Sequence, residues 1–175
     1  MAETVKRGDI TVDDWQWTLD INLWGPIHGI ECFVPEMIRS RRPGHVVSIA
    51  STAGIIALPW QAAYSGTKAF VVAFGHSLWH EVRGRDVSIT TFVPGGIRTE
   101  MTDGERFNEL RGWLMPVDRC AVEAVRAFRG RAYLHSPGFI YRLGSVVSRM
   151  LPQRLFISRV AEQYRRSLQQ YRRSL

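Results

Sequence analysis

Two strand-like runs enclose a long helical pattern, and that order leaves this chain few folds. The runs are Gly44-His45-Val46-Val47-Ser48-Ile49-Ala50-Ser51 and Val87-Ser88-Ile89-Thr90-Thr91-Phe92-Val93, with helix-forming sequence from about Ala62 to Arg83 between them. Strands that follow one another through a helix are parallel neighbours, because antiparallel partners need only a short turn. The crossover is right-handed in nearly all known cases. His45 to Ala50 reads as a buried parallel strand, since such strands are apolar on both faces. A further helical pattern, Val117 to Arg129, precedes a third candidate strand at Arg131 to His135. The prediction is an α/β fold with a parallel sheet covered by helices on both sides.

The flanking sequence completes this outline. Residues 1–11 are polar and read as linker. Thr11-Val12-Asp13-Asp14 starts a helix, with Thr11 as N-cap and acidic residues in the first turn. That helix should run to about Ser40, bent near Gly25-Pro26. Turns are expected at Arg41 to Gly44 and at Gly84 to Asp86, and a loop over residues 52–61. From Pro137 onward the pattern is helical and basic. Residues 119–175 hold twelve arginines against Glu123 and Glu162, a net +10, which leaves −3 for the remainder of a chain of net charge +7. Ile157, Val160, Ala161, Tyr164, Leu168, Tyr171 and Leu175 share one helical face with arginines largely opposite. The chain therefore divides into residues 1–136, which carry the alternating strands and helices, and residues 137–175, a basic extension of amphipathic helices. Such an extension suits an anionic membrane surface. Charge alone, without a motif, does not support nucleic-acid binding. Cys32 and Cys120 make no disulfide framework, and a reduced, cytoplasmic setting is the simplest reading.

One constellation carries chemistry. Tyr64 and Lys68 stand one helical turn apart in Tyr64-Ser65-Gly66-Thr67-Lys68, so their side chains emerge from one face. A neighbouring cation favours the ionised form of a phenol, which suits the pair for passing a proton to or from a carbonyl or alcohol oxygen. Ser51 ends the preceding strand, where its hydroxyl can hold the same oxygen. Asp20-Ile21-Asn22-Leu23-Trp24-Gly25 places an amide within a helix upstream, and Pro94-Gly95-Gly96-Ile97-Arg98-Thr99 follows the second strand.

Together these four segments resemble the short-chain dehydrogenase/reductase family over roughly residues 10 to 135. The resemblance implies a partial Rossmann-like, doubly wound sheet of three strands. It implies a catalytic group of Asn22, Ser51, Tyr64 and Lys68, and contacts from Tyr64, Lys68, Pro94, Gly95, Ile97 and Thr99 to the nicotinamide end of NAD or NADP. Residues 98–115 correspond to the family's variable substrate loop. Trp60 and Met101, with Ser51, are expected to line a pocket for a hydrophobic carbonyl or alcohol substrate. The family's opening strand and Thr-Gly-x3-Gly-x-Gly turn, which receive the pyrophosphate at a helix N-terminus, do not occur in this sequence. The expectation is therefore a truncated oxidoreductase with impaired cofactor binding and an unpaired inner sheet edge. It should form homo-oligomers through its long helices, to which Trp15, Trp17, Trp24 and Trp79 contribute core or subunit contacts. The alternative is a non-catalytic remnant that serves as a dimerisation or peripheral membrane-binding module. His76 and His80, one turn apart, lack a third ligand at a plausible spacing, and no metal is expected.

Overall fold

The computed structural model describes residues 11–59, 61–102, 112, 114–150, 154, 157, 158, 161 and 162. Helix α1 (Val12–Leu19) opens on a capping box. The Thr11 hydroxyl accepts the Asp14 backbone N–H, and the Asp14 carboxylate accepts the Thr11 N–H at 2.9 Å. The expected bend takes a specific form. The chain stays helical, but Asp20–Trp24 forms a wider π-turn, closed by the Gly25 N–H on the Asp20 carbonyl, before α2 (Gly25–Ser40) continues. Pro26 has no N–H to give the Asn22 carbonyl four residues back, and an extra residue in the preceding turn accommodates that loss. Asn22 thus sits in a π-turn rather than in regular helix.

Strand β1 (Gly44–Ile49) pairs in parallel with β2 (Val87–Phe92), and β2 pairs in parallel with β5 (Leu134–His135), giving the order β1-β2-β5. Helix α3 (Ala62–Glu81) joins β1 to β2, and α4 (Val117–Arg129) leads to β5. A small parallel pair, β3 (Ile97–Arg98) with β4 (Met115–Pro116), lies between. Alternation along the strands divides the core. Val87 and Ile89 face Val34 of α2 and Leu78 of α3. Phe92 and Val47 face Cys120, Ala124 and Ala127 of α4 on the other side. Helices therefore cover both faces, as the strand-helix-strand order requires.

Two expectations need correction. β1 is half-buried, not buried, and its last residue Ile49 is 52% exposed. It has the composition of an inner strand, but among the described residues it pairs on one side only, whereas β2 is covered on both. β5 is also shorter than the expected run from Arg131. Arg131 adopts φ 47° in the left-handed region, with its N–H on the Phe128 carbonyl and the Ala132 N–H on the Ala127 carbonyl. These bonds complete the end of α4 and consume the first residues of the expected strand. The tryptophans divide as well: Trp79 packs against the core, while Trp17 and Trp24 are exposed. His76 and His80 both turn their rings toward Tyr133, the first stacked at 4.6 Å.

His45 ties β1 to α4. Its ring stacks on Phe128 at 4.6 Å, and Nε2 lies 2.8 Å from the Thr90 hydroxyl. Burial, then the positive charge of Arg131, lowers its pKa below the usual 6.5. Between the lowered value and 6.5 the folded protein binds fewer protons than the unfolded chain, so stability rises with pH across that window. His45 thus contributes stability that is present above about pH 6.5 and lost as pH falls through the folded value. A urea midpoint measured from neutral pH down to about pH 5 should drop, and His45→Gln should flatten the drop. An unchanged slope in the variant would place the acid sensitivity elsewhere.

Candidate functional site

The site is assembled at the carboxyl edge of β1 and β2. Pairing continues past the strands: the Ala50 N–H donates to the Phe92 carbonyl at 2.8 Å, and the Thr52 N–H donates to the Pro94 carbonyl at 2.9 Å. These bonds set Ser51 beside the Pro94 loop. Ser51 is buried and caps the short turn Thr52–Gly54, its Oγ accepting the Ala53 N–H at 3.2 Å. Among the described residues the Ser51 hydroxyl hydrogen has no acceptor, so it can be donated to an oxygen placed at this edge.

Glycine brings the turn against α3. A Cβ on Gly54 would stand 2.4 Å from the Lys68 carbonyl oxygen and 2.8 Å from the Ala69 nitrogen. Contact this close between two backbones is open only to glycine. The following loop is tied down as well, because the Leu58 N–H donates to the buried Ser65 hydroxyl at 3.1 Å. Tyr64 and Lys68 occupy the first turns of α3, as their spacing indicated. Lys68 Nζ lies 5.7 Å from the centre of the Tyr64 ring and donates to the Ile49 carbonyl at 3.2 Å, two residues before Ser51. Burial pushes the Lys68 pKa below its usual 10.5. A partly desolvated ammonium held by a carbonyl favours an anionic or strongly accepting group beside it.

The other candidates fall at different places. The π-turn carrying Asn22 packs against α3, and the Asn22 amide donates to the Thr18 carbonyl at 3.2 Å. Pro94 is buried beside Thr52. Ile97 packs with Phe92, Met115 and Cys120, so it anchors its loop. Thr99 is exposed, and its N–H donates to the Thr102 hydroxyl at 2.8 Å. Met101 lies in the short turn Glu100–Thr102, and Trp60 lies outside the described residues.

One contributor had no signal in the sequence. Helix α5 (Phe139–Met150) places Tyr141 over the glycine pair: a Cβ on Gly95 would meet its ring at 2.1 Å, and its hydroxyl donates to the Gly96 carbonyl at 3.4 Å. Burial raises the Tyr141 pKa above its usual 10.0. The Gly95-Gly96 pair shows that something lies close, but not which residue.

The sequence pattern of the short chain dehydrogenases matches residues 1–109. The chain belongs to that family. Among its relatives, an uncharacterized oxidoreductase of Staphylococcus saprophyticus is 37% identical over 93 residues, covering 52% of this chain and 37% of the relative. An 11-beta-hydroxysteroid dehydrogenase-like protein of Arabidopsis thaliana is 35% identical over 146 residues, covering 80% and 46%. This short-chain dehydrogenase thus spans less than half the length of those curated relatives. A family member from Burkholderia cenocepacia, solved with NADP, superimposes with a TM-score of 0.75 at 18% identity, covering 91% of this chain and 63% of the other. One from Burkholderia phymatum, solved with NAD, gives 0.70 at 22% identity, covering 81% and 59%. These likenesses establish the Rossmann-like fold of the three-stranded parallel sheet.

Proposed function

We propose that this chain supplies the catalytic segment of an oxidoreductase that moves a hydride between a nicotinamide cofactor and a carbonyl or alcohol carbon, with Tyr64 as acid and base. One observation carries the reading: Lys68 is held at the end of β1 and beside the Tyr64 ring, next to the strand end that delivers Ser51. The relatives' names, oxidoreductase and hydroxysteroid dehydrogenase, support it. So does the fit of NAD or NADP in the two neighbours, although those likenesses concern the fold.

Bound NAD(P) supplies or accepts the hydride. The chain's own residues do the rest. Ser51 donates a hydrogen bond to the substrate oxygen and stabilises the charge that develops there. Tyr64 gives that oxygen a proton in reduction and removes it in oxidation. Lys68 sets its positive charge beside the Tyr64 ring and hydrogen-bonds the nicotinamide ribose. The desolvated Lys68 ammonium fits such an acceptor. Pro94, Gly95 and Thr99 offer backbone and hydroxyl groups to the nicotinamide end, with Tyr141 beside them. Asn22 serves through a water that links Lys68 to solvent. Residues 1–136 form the catalytic unit, and residues 137–175 an extension whose first helix closes on Gly95.

No Gly-rich pyrophosphate turn occurs in this sequence, so the contacts available favour the nicotinamide half. Calorimetric titration with NADH or NADPH should show no micromolar binding to the chain alone. The same chain joined to the dinucleotide-binding half of a relative should oxidise NADH or NADPH with ketones or aldehydes. A joined protein that binds the nucleotide yet reduces no carbonyl in a broad panel would favour the non-catalytic alternative.

A second property is supported by α5. Phe139, Ile140, Leu143, Val146 and Met150 are all at least half exposed, while Ser145 and Ser148 point inward. This outward apolar stripe adjoins the arginine-rich end of the chain, and it suits peripheral contact with an anionic bilayer. No helix among the described residues is long and apolar enough to cross a membrane. Co-sedimentation should require acidic lipid and weaken as salt rises. Equal partitioning with neutral and acidic vesicles would exclude it.

A further inference from the structure

One side chain of α5 bears directly on the backbone between β2 and β3. Gly95 and Gly96 follow Pro94 there, and a Cβ on Gly95 would fall within the Tyr141 ring. The Gly96 carbonyl is held twice. It accepts the Met115 N–H at 2.9 Å, where β4 begins, and the Tyr141 hydroxyl at 3.4 Å. A carbonyl oxygen has two lone pairs, so both bonds form together.

Tyr141 is itself fixed in place. It packs against the cluster of Phe92, Met115, Cys120 and Ala127, on the α4 face of the sheet. Its own carbonyl accepts the Ser145 hydroxyl at 2.8 Å. Gly138, at φ 80°, turns the chain from β5 into α5, and its carbonyl accepts the Arg142 N–H at 3.1 Å in the first turn. The ring therefore reaches the glycine pair from the face opposite α3, the helix that carries Tyr64 and Lys68. Two adjacent glycines have more backbone freedom than any other pair, and ordering them when a ligand binds would cost affinity. A ring already seated on them removes that cost beforehand.

We propose that Tyr141 is a positioning residue for the nicotinamide end of the cofactor: it holds Gly95 and Gly96 in one conformation and so pre-organises the backbone on which that end rests. The inference rests on the reading of residues 94–99 as the loop that receives the nicotinamide. The flat ring carries the role more than the hydroxyl, because a 3.4 Å bond is long. α5 thereby becomes part of the site although it holds none of the reacting groups.

Reduced nicotinamide mononucleotide is the probe, since it carries the nicotinamide end alone. Titrated into the full chain and followed by NMR, it should bind saturably in the millimolar range, with AMP at least about tenfold weaker. Tyr141→Ala should lose about tenfold in that affinity, and Tyr141→Phe, which keeps the ring, less than about threefold. Tyr141→Leu keeps apolar contact with Phe92 and Met115 but not the flat ring, and should lose about fivefold. Hydrogen exchange supplies a second readout. The Met115 N–H, bonded to Gly96, should exchange about tenfold faster in the Ala and Leu variants, while Ile89 at the sheet centre holds its rate. Equal binding of the two nucleotides by the parent, or of neither, would overturn the nicotinamide reading of the loop and this inference with it. A parent that prefers the nicotinamide nucleotide, beside Ala and Leu variants that bind it as tightly, would overturn the role of Tyr141 alone. Faster exchange at Ile89 in both variants would reduce Tyr141 to core packing and also overturn it.

Discussion

Tyr64→Phe should reduce turnover by about 10²–10⁴-fold in the joined protein, the range by which a positioned acid-base group contributes. The substitution removes one hydroxyl and keeps the ring. The ring's contact with Lys68, at 5.7 Å from Nζ to its centre, therefore persists, and α3 keeps its place on the sheet. Nucleotide affinity should stay within about threefold of the parent, because binding energy that does not change between ground state and transition state is untouched. Lys68→Ala should behave differently. It removes the bond to the Ile49 carbonyl as well as the charge beside the phenol, so both turnover and nucleotide affinity fall. Steady-state kinetics with calorimetric binding on the same preparations distinguishes the two patterns. Near-normal turnover in the Tyr64→Phe protein would remove Tyr64 from the mechanism.

Gly54→Val should destabilise the chain by about 3 kcal/mol, at the upper end of typical overpacking costs. The added Cβ would fall 2.4 Å from the Lys68 carbonyl oxygen, and both sides of that contact are backbone, so no rotamer change relieves it. The turn Thr52–Gly54 must then lift from α3, carrying Ser51 away from Tyr64 and Lys68. Gly66→Ala is the control, since a Cβ at Gly66 meets nothing within 4 Å and alanine favours helix. Urea denaturation of the two variants should show a large loss for Gly54→Val and none, or a small gain, for Gly66→Ala. A Gly54→Val protein as stable as the parent would mean that this close approach does not hold the site together.

Local pattern was enough for the elements and for half of the site. The Tyr64–Lys68 interval is a property of one helix, and the bond from Thr11 to Asp14 is a property of one turn. Both were legible because all the interacting atoms lie within a few residues of each other. The position of Ser51 at a strand end was legible for the same reason. β5 was misjudged where two local preferences competed: the residues after Gly130 could extend a strand or finish α4, and α4's hydrogen bonds took Arg131 and Ala132.

The order of strand, helix and strand, the family's motif residues and their sequence intervals were therefore determined by the sequence alone. Tertiary packing decided what those intervals meet. Burial of β1 depends on what lies beside it, and its own apolar residues carry no record of that neighbour. The docking of Gly54 on Lys68 required the turn and α3 to be placed together in space. Tyr141 reaches Gly95 from a helix far along the chain, and its hydroxyl closes on the Gly96 carbonyl across 45 residues. Such contacts join residues with no shared periodicity. The closure of the chain sets them, through packing that fixes side chains and backbones to within a fraction of an ångström.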